Sequence, residues 1–599
     1  MKETNENLEQ MRHSGAHLLA AAVQKLYPNV KLAIGPAIDY GFYYDFDFGE
    51  EKISENNFSR IEDEMHSLKN KGYKFEKIEM SINDAKVFLK QTKQPYSLSL
   101  LEDIEKYGST KKPQMNEVNK KSGNEVVTLY KSGDFINLCR GGHVSSFKEV
   151  GAFKITSIAG AYFRGSEKNP MLTRIYVACF PTEEELNEYL EKKALAEERD
   201  HKKIGRELEL FFFHPTAPGI AYWLPKGLRI RNLLIEFWRE YHKERGYQEI
   251  SAPLINKKAL WEQSGHWDHY KDDMFKTKAK GSEQWALKPM NCPNAMNIFS
   301  FKPRSYRELP LRLSDTDNLF RDEIPGALNG LLRTRSFIQD DSHNFISEDQ
   351  IENEIKEILD ITNYFYDVFG LKDNLKLYLS TRPDNFMGDI KSWEEAERGL
   401  KNALENSKFD YGIKEKDGAF YGPKIDIHLQ DALGREWQCG TIQLDFQLPH
   451  RFNLEYTDKD GSKKTPIVVH RVIYGSLERF IGIVIEHFAG ELPFWIAPEQ
   501  VRILTIENDE ISEYVSDIDR ILHCIELEHP VKHNSLRYTI NRDQESLSKK
   551  IKETQISKVP IMLIVGPKDR EKESVSVRIK NNQTQIEISK LKEFIENYK

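Results

Sequence analysis

The segment spanning residues 320–343 constrains this chain most, because charged side chains there flank a predicted turn. Arg321 and Glu323 are two residues apart, so on a strand both side chains would project from one face. The pair Asn329-Gly330 predicts a tight turn, and the returning strand would carry Arg333 as a second guanidinium able to bind phosphate. We therefore expect a hairpin that binds a ligand with both signs of charge. An ordinary hairpin with a surface ion pair is the alternative.

A length of 599 residues predicts about four domains at roughly 150 residues each. The composition, 39% hydrophobic and 30% charged, is typical of a globular protein, and no apolar run is long enough to span a bilayer. The polar N-terminus lacks the apolar core of a signal peptide, and five scattered cysteines do not make a disulfide framework. We therefore expect a cytoplasmic protein. The net charge of −8 argues against a general nucleic-acid coat but not against one shaped RNA.

Patterning divides the chain into four regions. Residues 1–181 mix short strands with other segments, and residues 182–206 form a connector rich in Glu and Lys, as expected for a solvated helix. Residues 207–496 contain the segment described above. Residues 497–599 alternate apolar strands with helical stretches, which predicts a small α/β domain.

The third region also contains predicted elements around a pocket. An amphipathic helix at residues 229–245 precedes a strand at residues 249–255, and Pro253 in that strand fits an edge or an interface. Further strands are predicted at residues 420–428 and 437–446. Alternation along the second of these puts Cys439 and Gln443 on one face and Gln438 on the opposite face. Polar side chains thus occur on both faces, so one face is expected to line a pocket.

A second informative element is Gly475-Ser476-Leu477-Glu478-Arg479-Phe480, which leads into an apolar helix. An arginine at the edge of a buried helix is costly unless its guanidinium meets an anion or stacks on an aromatic ring. The residues alone leave a ligand-binding arginine and a structural one equally open.

Together these segments resemble the three signature motifs of class II aminoacyl-tRNA synthetases. The helix and strand that contain Pro253 resemble motif 1, which forms the dimer interface in that family, so the resemblance implies a homodimer. Residues 320–337 resemble motif 2, and residues 475–480 resemble motif 3. The implied fold is α+β and multidomain: an N-terminal α/β editing domain, an antiparallel-sheet catalytic domain and a C-terminal α/β anticodon-binding domain.

The resemblance also implies roles in forming an aminoacyl-adenylate from ATP with Mg²⁺. Arg321 would bind the α-phosphate and the amino-acid carboxylate, Arg479 and Phe337 would enclose the adenine, and Glu323 would contact its amino edge. The protein would then act by positioning and charge stabilisation. The implied catalytic residues are Arg321, Glu323, Arg333 and Arg479, and the implied ATP contacts are these four with Phe337, Lys424 and Gln438.

Three further strings resemble the threonyl-tRNA synthetase family: Lys288-Pro289-Met290-Asn291-Cys292-Pro293, Gln339-Asp340-Asp341-Ser342-His343 and Val468-Val469-His470-Arg471. Their spacing is too wide for a local zinc motif, so the residues alone favour a buried thiol and capped imidazoles over a joint metal site. The resemblance makes Cys292, His343 and His470 the ligands of one Zn²⁺ per subunit, with positions open for the hydroxyl and amino groups of threonine. It places four residues around threonine: Gln339, Asp341, Tyr421 and Gln443.

The first region contains a pair of histidines, His13 and His17, and a Cys139–His143 pair, each four residues apart. By spacing alone they fit a four-ligand metal site. The resemblance instead implies an editing site that hydrolyses seryl-tRNA without metal and that includes Tyr44. The chain departs from the family pattern at two positions, where Asn137 replaces an aspartate and Gly142 replaces a proline.

The last region resembles an anticodon-binding domain, which implies tRNA(Thr) as a partner. Arg578 matches an arginine of the family pattern that reads the anticodon, while Gln544 and Asp569 stand where Asn and Glu are usual. The chain is also expected to lack the ubiquitin-like domain that precedes the editing domain in many bacterial members.

Two alternatives to threonine–tRNA ligation remain open. Prolyl-tRNA synthetases share the class, but proline has no hydroxyl for the Cys292, His343 and His470 trio to recognise. An inactive relative that regulates by binding RNA would not need its phosphate-binding arginines, which are present here.

Overall fold

The computed structural model describes residues 2–107, 126–166, 168–278, 281–407, 409–506 and 509–598. The chain forms two compact units, Met1–Ala194 and Leu195–Lys599. Within the described ranges, every helix is too short or too polar to cross a membrane.

The first unit is built on the helix Lys2–Leu26, whose small buried residues allow it to lie close to a sheet. Gly15 shows how close the contact is, because a Cβ there would lie 2.3 Å from the Phe42 ring. The sheet has the strand order Lys31–Leu32, Gly41–Asp47, Met171–Phe180, Ala152–Tyr162, and Ala37–Ile38 also pairs with Gly41–Asp47. A second sheet contains Glu76–Ser81, Val126–Ser132 and Phe135–Leu138, and the other long helices are Phe58–Lys71, Ile82–Gln91 and Pro95–Tyr107.

The predicted connector at residues 182–206 forms two helices rather than one. They are Glu183–Glu198 and His201–Glu207. The break lies at Asp200, whose backbone is not helical and whose side chain accepts a hydrogen bond from the Lys202 N–H. A side chain that caps a helix in this way starts a new helix, so the charged stretch is not continuous.

A mixed, mainly antiparallel sheet is the centre of the second unit. Pairing is parallel only between the two strands at each edge of this sheet, in the described residues. Four amphipathic helices contribute their apolar faces to the core that the sheet helps to form: Pro225–Lys243, Ile351–Val368, Ile390–Glu405 and Leu477–His487. In spatial order, the strands are Gln248–Glu249, Leu311–Asp315, Asp341–Ile346, Ile467–Val472, Glu436–Asp445, Lys424–Gln430, Leu375–Ser380 and Tyr411–Lys414.

The C-terminal part of this unit has its own core. Its sheet has the strand order Tyr538–Asn541, Val501–Thr505, Ile561–Val565, Ser574–Ile579, Asn582–Glu587, and the first three strands are parallel. The α/β pattern predicted from residue 497 onwards is therefore confirmed. Its helices include Asp509–His523, Leu547–Ile556 and Leu591–Glu596.

Two predicted elements of the third region have different bounds. The predicted helix at residues 229–245 begins earlier, at Pro225, because proline is favourable in the first turn of a helix. The predicted strand at residues 249–255 was wrong in its middle, because only Gln248–Glu249 and Ile255–Lys257 are strands and Pro253 lies between them.

The hairpin at residues 320–343 forms, but its first charged residues lie beyond its strands. The strands are Asn318–Phe320 and Ser336–Ile338, so the prediction that Arg321 and Glu323 lie on a strand was wrong. Strand pairing ends here because the Glu323 N–H donates a hydrogen bond to the Arg321 carbonyl at 2.9 Å, which turns the backbone. Pro325 follows and has no N–H with which to resume pairing.

Arg333 also lies outside the hairpin strands. The predicted turn is present, since Gly330 has a φ of +52° and Asn329 forms a bridge with Arg333. The returning strand begins only at Ser336. Arg333 therefore ends a turn, and a turn needs other contacts to hold its position.

Two buried carboxylates join the hairpin to the helix Leu477–His487. Asp340 accepts hydrogen bonds from the backbone N–H groups of Ile473, Tyr474 and Gly475, at 2.9, 3.1 and 2.9 Å. In the opposite direction, Glu478 accepts one from the Ile338 N–H at 2.9 Å.

The pKa values of both carboxylates show the cost of this burial. Burial raises the pKa of Asp340 to about 7, although Arg471 and the three N–H groups lower it. Burial also raises the pKa of Glu478 to about 7, against the lowering effect of the Ile338 N–H. Hydrogen bonds to two buried carboxylates thus hold the hairpin against the start of the helix Leu477–His487.

We expect Asp340→Asn to destabilise the second unit. The amide has one acceptor oxygen, so one of the three backbone N–H groups loses its partner, at a cost of about 1–3 kcal/mol. The Glu478 carboxylate accepts a backbone N–H at one oxygen, so Glu478→Gln is the matched control and should lower the melting temperature less. Thermal unfolding followed by tryptophan fluorescence tests this order, and equal melting temperatures for the two variants would contradict it.

Candidate functional site

Cys292, His343 and His470 come together although they are far apart in sequence. Cys292 begins the helix Cys292–Phe299, and the two histidines face each other as direct partners on neighbouring strands. One ligand atom from each residue lies within 4.8 Å of those of the other two. His343 is buried with both ring nitrogens lacking a hydrogen-bond partner, and His470 lacks one at Nδ1. Buried imidazole nitrogens beside a thiol form a donor set that suits Zn²⁺.

Asp445 fixes the orientation of His470. Its Oδ2 lies 2.8 Å from His470 Nε2, so Nε2 carries the proton and Nδ1 keeps the lone pair when the imidazole is neutral. A carboxylate in this position is typical support for a metal-binding histidine. Sequence reasoning missed Asp445 in this role. The available signal was that Asp445 and Gln443 are two residues apart on one strand, so both side chains lie on the same face.

The charges of the cluster favour a thiolate. Burial alone would raise the pKa of Cys292, but the nearby His470 and His343 imidazoles lower it to about 7. Burial lowers the pKa of His470, and the Cys292 thiolate together with Asp445 raises it to about 10. The thiolate is the form that binds metal, so proton release and metal binding would be coupled here.

Polar side chains lie next to this cluster. Asp341 is buried and accepts a hydrogen bond from Asn291 Nδ2 at 3.1 Å. The Tyr421 hydroxyl donates to Gln443 Oε1 at 2.5 Å, and the Tyr421 ring centroid lies 5.8 Å from that of His470. Burial raises the pKa of Tyr421, and the Cys292 thiolate raises it further, so the hydroxyl remains a donor.

Gln339 lies where the hairpin meets the helix Leu477–His487. It pairs with Ser476 in an isolated bridge, which places it at the start of the helix Leu477–His487. The structure thus positions Gln339 between the hairpin and the helix, while Asp341, Tyr421 and Gln443 lie near the thiol and imidazole cluster.

Three guanidinium groups form a second region. The Arg321 guanidinium lies 5.0 Å from the Phe337 ring centroid, and Arg333 pairs with Glu323 at 2.7 Å. Arg479 donates from Nε to the Leu332 carbonyl at 2.9 Å. Burial lowers the pKa of Arg479, and the positive charges of Arg321 and Arg333 lower it further. Cations that repel one another in this way favour a bound anion.

Lys424 and Gln438 are held by a carboxylate that sequence reasoning missed. Asp426 is buried and accepts from Lys424 Nζ at 2.7 Å and from Gln438 Nε2 at 2.6 Å. Lys424 and Asp426 are two apart on one strand, so the shared face was a signal available in the sequence.

A β-bulge explains why Gln438 lies on the same face of the sheet as Lys424 and Asp426. The predicted parity on the strand Glu436–Asp445 put Cys439 with Gln443 and put Gln438 on the opposite face. That part was wrong, because pairing shifts from Ile427↔Gly440 to His428↔Gln438 and leaves Cys439 without a partner in the ladder. The extra residue turns Gln438 to the face of Gln443.

The first unit brings together His13, His17, Cys139 and His143. Cys139 Sγ lies 3.4 Å from His13 Nε2 and 3.2 Å from His143 Nε2. The ring centroids of His17 and His143 are 4.4 Å apart. The histidine pair lies on the helix Lys2–Leu26, whereas the second pair lies in the loop after the strand Phe135–Leu138.

Ser14 orients His143 and was not predicted. Its hydroxyl donates to the Gln10 carbonyl at 2.8 Å and lies 3.2 Å from His143 Nδ1. Because the hydroxyl proton is used by Gln10, His143 Nδ1 donates and Nε2 keeps its lone pair towards Cys139. The position of Ser14 directly after His13 was the available signal.

Burial keeps this second cluster uncharged. It lowers the pKa of His13 and of His17, and with the His13 charge it lowers the pKa of His143 to about 3. It raises the pKa of the Cys139 thiol to about 11. At neutral pH the cluster therefore contains a protonated thiol and neutral imidazoles, whose lone pairs can accept a hydrogen bond from water or bind a metal.

The two departures from the family pattern have different structural settings. Asn137 is buried and donates from Nδ2 to the Tyr44 hydroxyl at 2.6 Å. Gly142 has a φ of +80°, which a proline ring cannot adopt, so this loop conformation requires the glycine.

The three predicted anticodon residues differ in accessibility. Gln544 is exposed and Arg578 is partly exposed on the strand Ser574–Ile579. The Asp569 carboxylate is buried and accepts from the Gly566 N–H at 3.0 Å and from the Ser576 hydroxyl at 2.9 Å. Its hydrogen bonds therefore stabilise the domain.

Three protein families match the chain. The class II tRNA synthetase core domain (G, H, P, S and T) matches residues 275–488. The second additional domain of threonyl and alanyl tRNA synthetases matches residues 127–176, and the anticodon-binding domain matches residues 500–598.

Solved structures show a similar fold. One described as the RNA-binding domain of threonyl-tRNA synthetase from Cryptosporidium parvum is 39% identical, with a TM-score of 0.61 over 66% of this chain and 97% of that chain. A putative threonyl-tRNA synthetase from Aeropyrum pernix is 27% identical, with a TM-score of 0.56 over 65% of this chain and 91% of that chain. A prolyl-tRNA synthetase from Cryptosporidium parvum shares the fold at 19% identity, with a TM-score of 0.52 over 66% of this chain and 75% of that chain.

Curated relatives match over nearly the full chain. A threonine–tRNA ligase from Acetivibrio thermocellus is 46% identical over 95% of this chain and 84% of that protein. One from Clostridium botulinum strain Okra is 46% identical over 98% of this chain and 88% of that protein. The prolyl and regulatory alternatives are not favoured by these matches. The chain belongs to the threonine–tRNA ligases, class II synthetases that use ATP to join threonine to tRNA.

Proposed function

We propose that Cys292, His343 and His470 hold a Zn²⁺ that selects threonine. The buried imidazole nitrogens without partners beside the Cys292 thiol carry this proposal. Bound there, the metal would supply a Lewis-acidic centre for a hydroxyl and an amino group on adjacent carbons. Three protein ligands leave positions open, as in sites where zinc meets a substrate.

The neighbouring polar residues complete the threonine pocket. Asp341 would accept a hydrogen bond from the substrate hydroxyl, and Gln339, Tyr421 and Gln443 would orient the rest of the amino acid. Valine has no hydroxyl, so it would leave the buried Asp341 carboxylate without this partner. A site that requires a hydrogen bond rejects such an isostere far better than an apolar pocket does.

The guanidinium region would bind ATP. Arg321 and Arg333 would neutralise phosphate charge with Mg²⁺, and Arg479 and Phe337 would enclose the adenine. Arg333 would exchange its Glu323 partner for phosphate, which frees Glu323 for the adenine amino group. Two further contacts to ATP would come from Lys424 and Gln438.

Two displacements would follow in this region. The threonine carboxylate would attack the α-phosphorus, so that a bond forms between a carboxylate oxygen and Pα, the bond from Pα to the bridging oxygen of the β-phosphate breaks, and pyrophosphate leaves. A tRNA 3′-terminal ribose hydroxyl then attacks the threonyl carbonyl, and AMP leaves. Both steps need fixed positive charge and orientation rather than a protein nucleophile.

Cys292→Ser is expected to lose bound zinc and most threonine activation. Serine replaces a soft thiolate by a hydroxyl that binds zinc weakly, so pyrophosphate exchange should fall by about a hundredfold or more. Cys524→Ser, an exposed cysteine outside the cluster, is the control and should behave as the unsubstituted enzyme. Zinc content by mass spectrometry and exchange with threonine and valine are measured together. Normal activation by a zinc-free Cys292→Ser variant would refute the metal's role.

The histidine and thiol cluster of the first unit is proposed to hydrolyse seryl-tRNA. Serine also has the hydroxyl that the zinc site would recognise, so a second site is needed to remove it. His13, His17 and His143 would orient and deprotonate a water molecule, with Cys139 and Tyr44 contacting the ribose end. Burial keeps the imidazoles neutral, so their ring nitrogens can accept a hydrogen bond from this water without a metal.

His13→Ala is expected to leave threonine activation unchanged and to let seryl-tRNA accumulate. The change removes the imidazole that contacts Cys139, so seryl-tRNA hydrolysis should slow by about tenfold to a thousandfold. His66→Ala, an exposed histidine of the same unit, is the control. Aminoacylation with radiolabelled serine, followed by deacylation of preformed seryl-tRNA, gives the readout. Unchanged hydrolysis would exclude His13 from the site.

The remaining regions are proposed to bind tRNA and a second subunit. The domain assignments are editing at residues 1–181, a helical linker at 182–206, catalysis at 207–496 and anticodon binding at 497–599. Arg578 and Gln544 would contact the anticodon of tRNA(Thr), with Asp569 supporting the domain from within.

A homodimer is supported by the exposed Leu254 and Ile255 beside Pro253.

Arg578→Ala is expected to weaken charging of tRNA without affecting pyrophosphate exchange. A guanidinium that pairs with a base edge contributes about 1–3 kcal/mol, so the KM for tRNA should rise by about fivefold to a hundredfold. Arg520→Ala, an exposed arginine of the same domain, is the control. Aminoacylation at varied tRNA concentration gives the KM. Equal KM values for the two variants would remove Arg578 from the anticodon contacts.

A further inference from the structure

His201 is a buried histidine that the proposed chemistry does not use. It is 1% exposed and begins the helix His201–Glu207. Its Nε2 accepts a hydrogen bond from the Leu331 N–H at 2.9 Å, and its Nδ1 lies 2.6 Å from Glu486 Oε1. A backbone N–H can only donate, so Nε2 carries the lone pair and Nδ1–H donates to Glu486. Both ring nitrogens are therefore used by one neutral tautomer.

Glu486 holds this imidazole in place. It is buried near the end of the helix Leu477–His487, and its second oxygen pairs with Arg435. Arg435 also pairs with Asp431, at 2.6 Å. Burial raises the pKa of Glu486, but His201 and Arg435 lower it below the ordinary value, so the carboxylate stays charged and keeps its acceptor role.

The turn beside His201 is shaped to receive the ring. A Cβ at Gly330 would lie 2.2 Å from His201 Nε2, so only glycine lets the imidazole reach the Leu331 N–H. Lys202 adds a contact to the turn, since its Nζ donates to Asn329 Oδ1 at 3.4 Å. The cluster of Asp200, His201 and Glu486 is not arranged to bind a metal, because the nitrogen that faces the carboxylates, Nδ1, carries the proton while Nε2 accepts from the Leu331 N–H.

The same turn connects directly to the proposed ATP site. Arg479 donates to the Leu332 carbonyl at 2.9 Å, and Arg333 is the next residue. His201 and Arg479 thus hold the backbone of two adjacent residues, Leu331 and Leu332, in a turn that lies outside the hairpin ladder. We propose that His201 is a positioning residue that fixes this turn and so sets the placement of Arg333 and Arg479 for ATP. The inference rests on the proposed ATP role of these two arginines.

The test compares His201→Ala and His201→Gln with His214→Ala, an exposed histidine of the same unit, as the control. Pyrophosphate exchange gives kcat and the KM values for ATP and for threonine. His201→Ala should raise the KM for ATP by about tenfold, as expected for one lost buried hydrogen bond, and should change the KM for threonine less than about twofold. His201→Gln should recover part of the loss, because its amide can accept from the Leu331 N–H and donate to Glu486.

Two further variants keep the result decisive. Gly330→Ala pushes the imidazole away while His201 is retained, so the same selective rise in the KM for ATP is expected even if His201→Ala folds poorly. Arg479→Ala is the benchmark for the ATP site itself. If Arg479→Ala leaves the KM for ATP unchanged, the proposed ATP site is wrong. If it raises that KM whereas the His201 and Gly330 variants do not, or if they raise both KM values equally, the positioning role is wrong.

Discussion

Antiparallel pairing between Asp341–Ile346 and Ile467–Val472 places His343 opposite His470 and also brings the hairpin beside the helix Leu477–His487. The first consequence is a donor cluster with Cys292. The second is the exchange of buried carboxylates, in which Asp340 and Glu478 each bind the backbone of the other motif. A shift in this pairing would separate the imidazoles and the guanidinium groups at once, because a one-residue slip reverses every side chain.

The two buried clusters reach opposite charge states from similar residues. In the second unit, the Cys292 thiol becomes acidic because His470 and His343 carry positive charge beside it, and Asp445 helps to stabilise the charge on His470. In the first unit, three imidazoles surround Cys139 and burial dominates, so the thiol stays protonated. Carboxylates beside the imidazoles therefore distinguish the two clusters, because Asp445 and Asp341 favour positive charge on His470 and His343.

Much of the fold could be predicted from sequence because its signals are local. The apolar strands from residue 501 onwards and the turn at Asn329-Gly330 follow from residue type alone. The arrangement of Cys292, His343 and His470 could not be derived from spacing, because strand order brings them together. Resemblance to a known family supplied that grouping.

The errors and omissions have physical causes as well. The prediction of a strand through Arg321 was wrong because a backbone turn and Pro325 end the pairing. The predicted face of Gln438 was wrong because a bulge at Cys439 adds one residue to the strand. Asp340, Glu478 and His201 were missed as supports because their partners are backbone N–H groups. Backbone groups carry no residue-specific signal in a sequence, so such contacts appear only in the structure.

The division of the chain at Ala194 and Leu195 separates these clusters completely, since each draws all its residues from one compact unit. Under the proposed roles of the two clusters, accuracy and catalytic speed can change independently during evolution. A lineage with little free serine could let the first cluster decay one residue at a time while protein synthesis continued. Exchange of that unit between relatives would likewise leave the donor atoms of the second cluster unchanged.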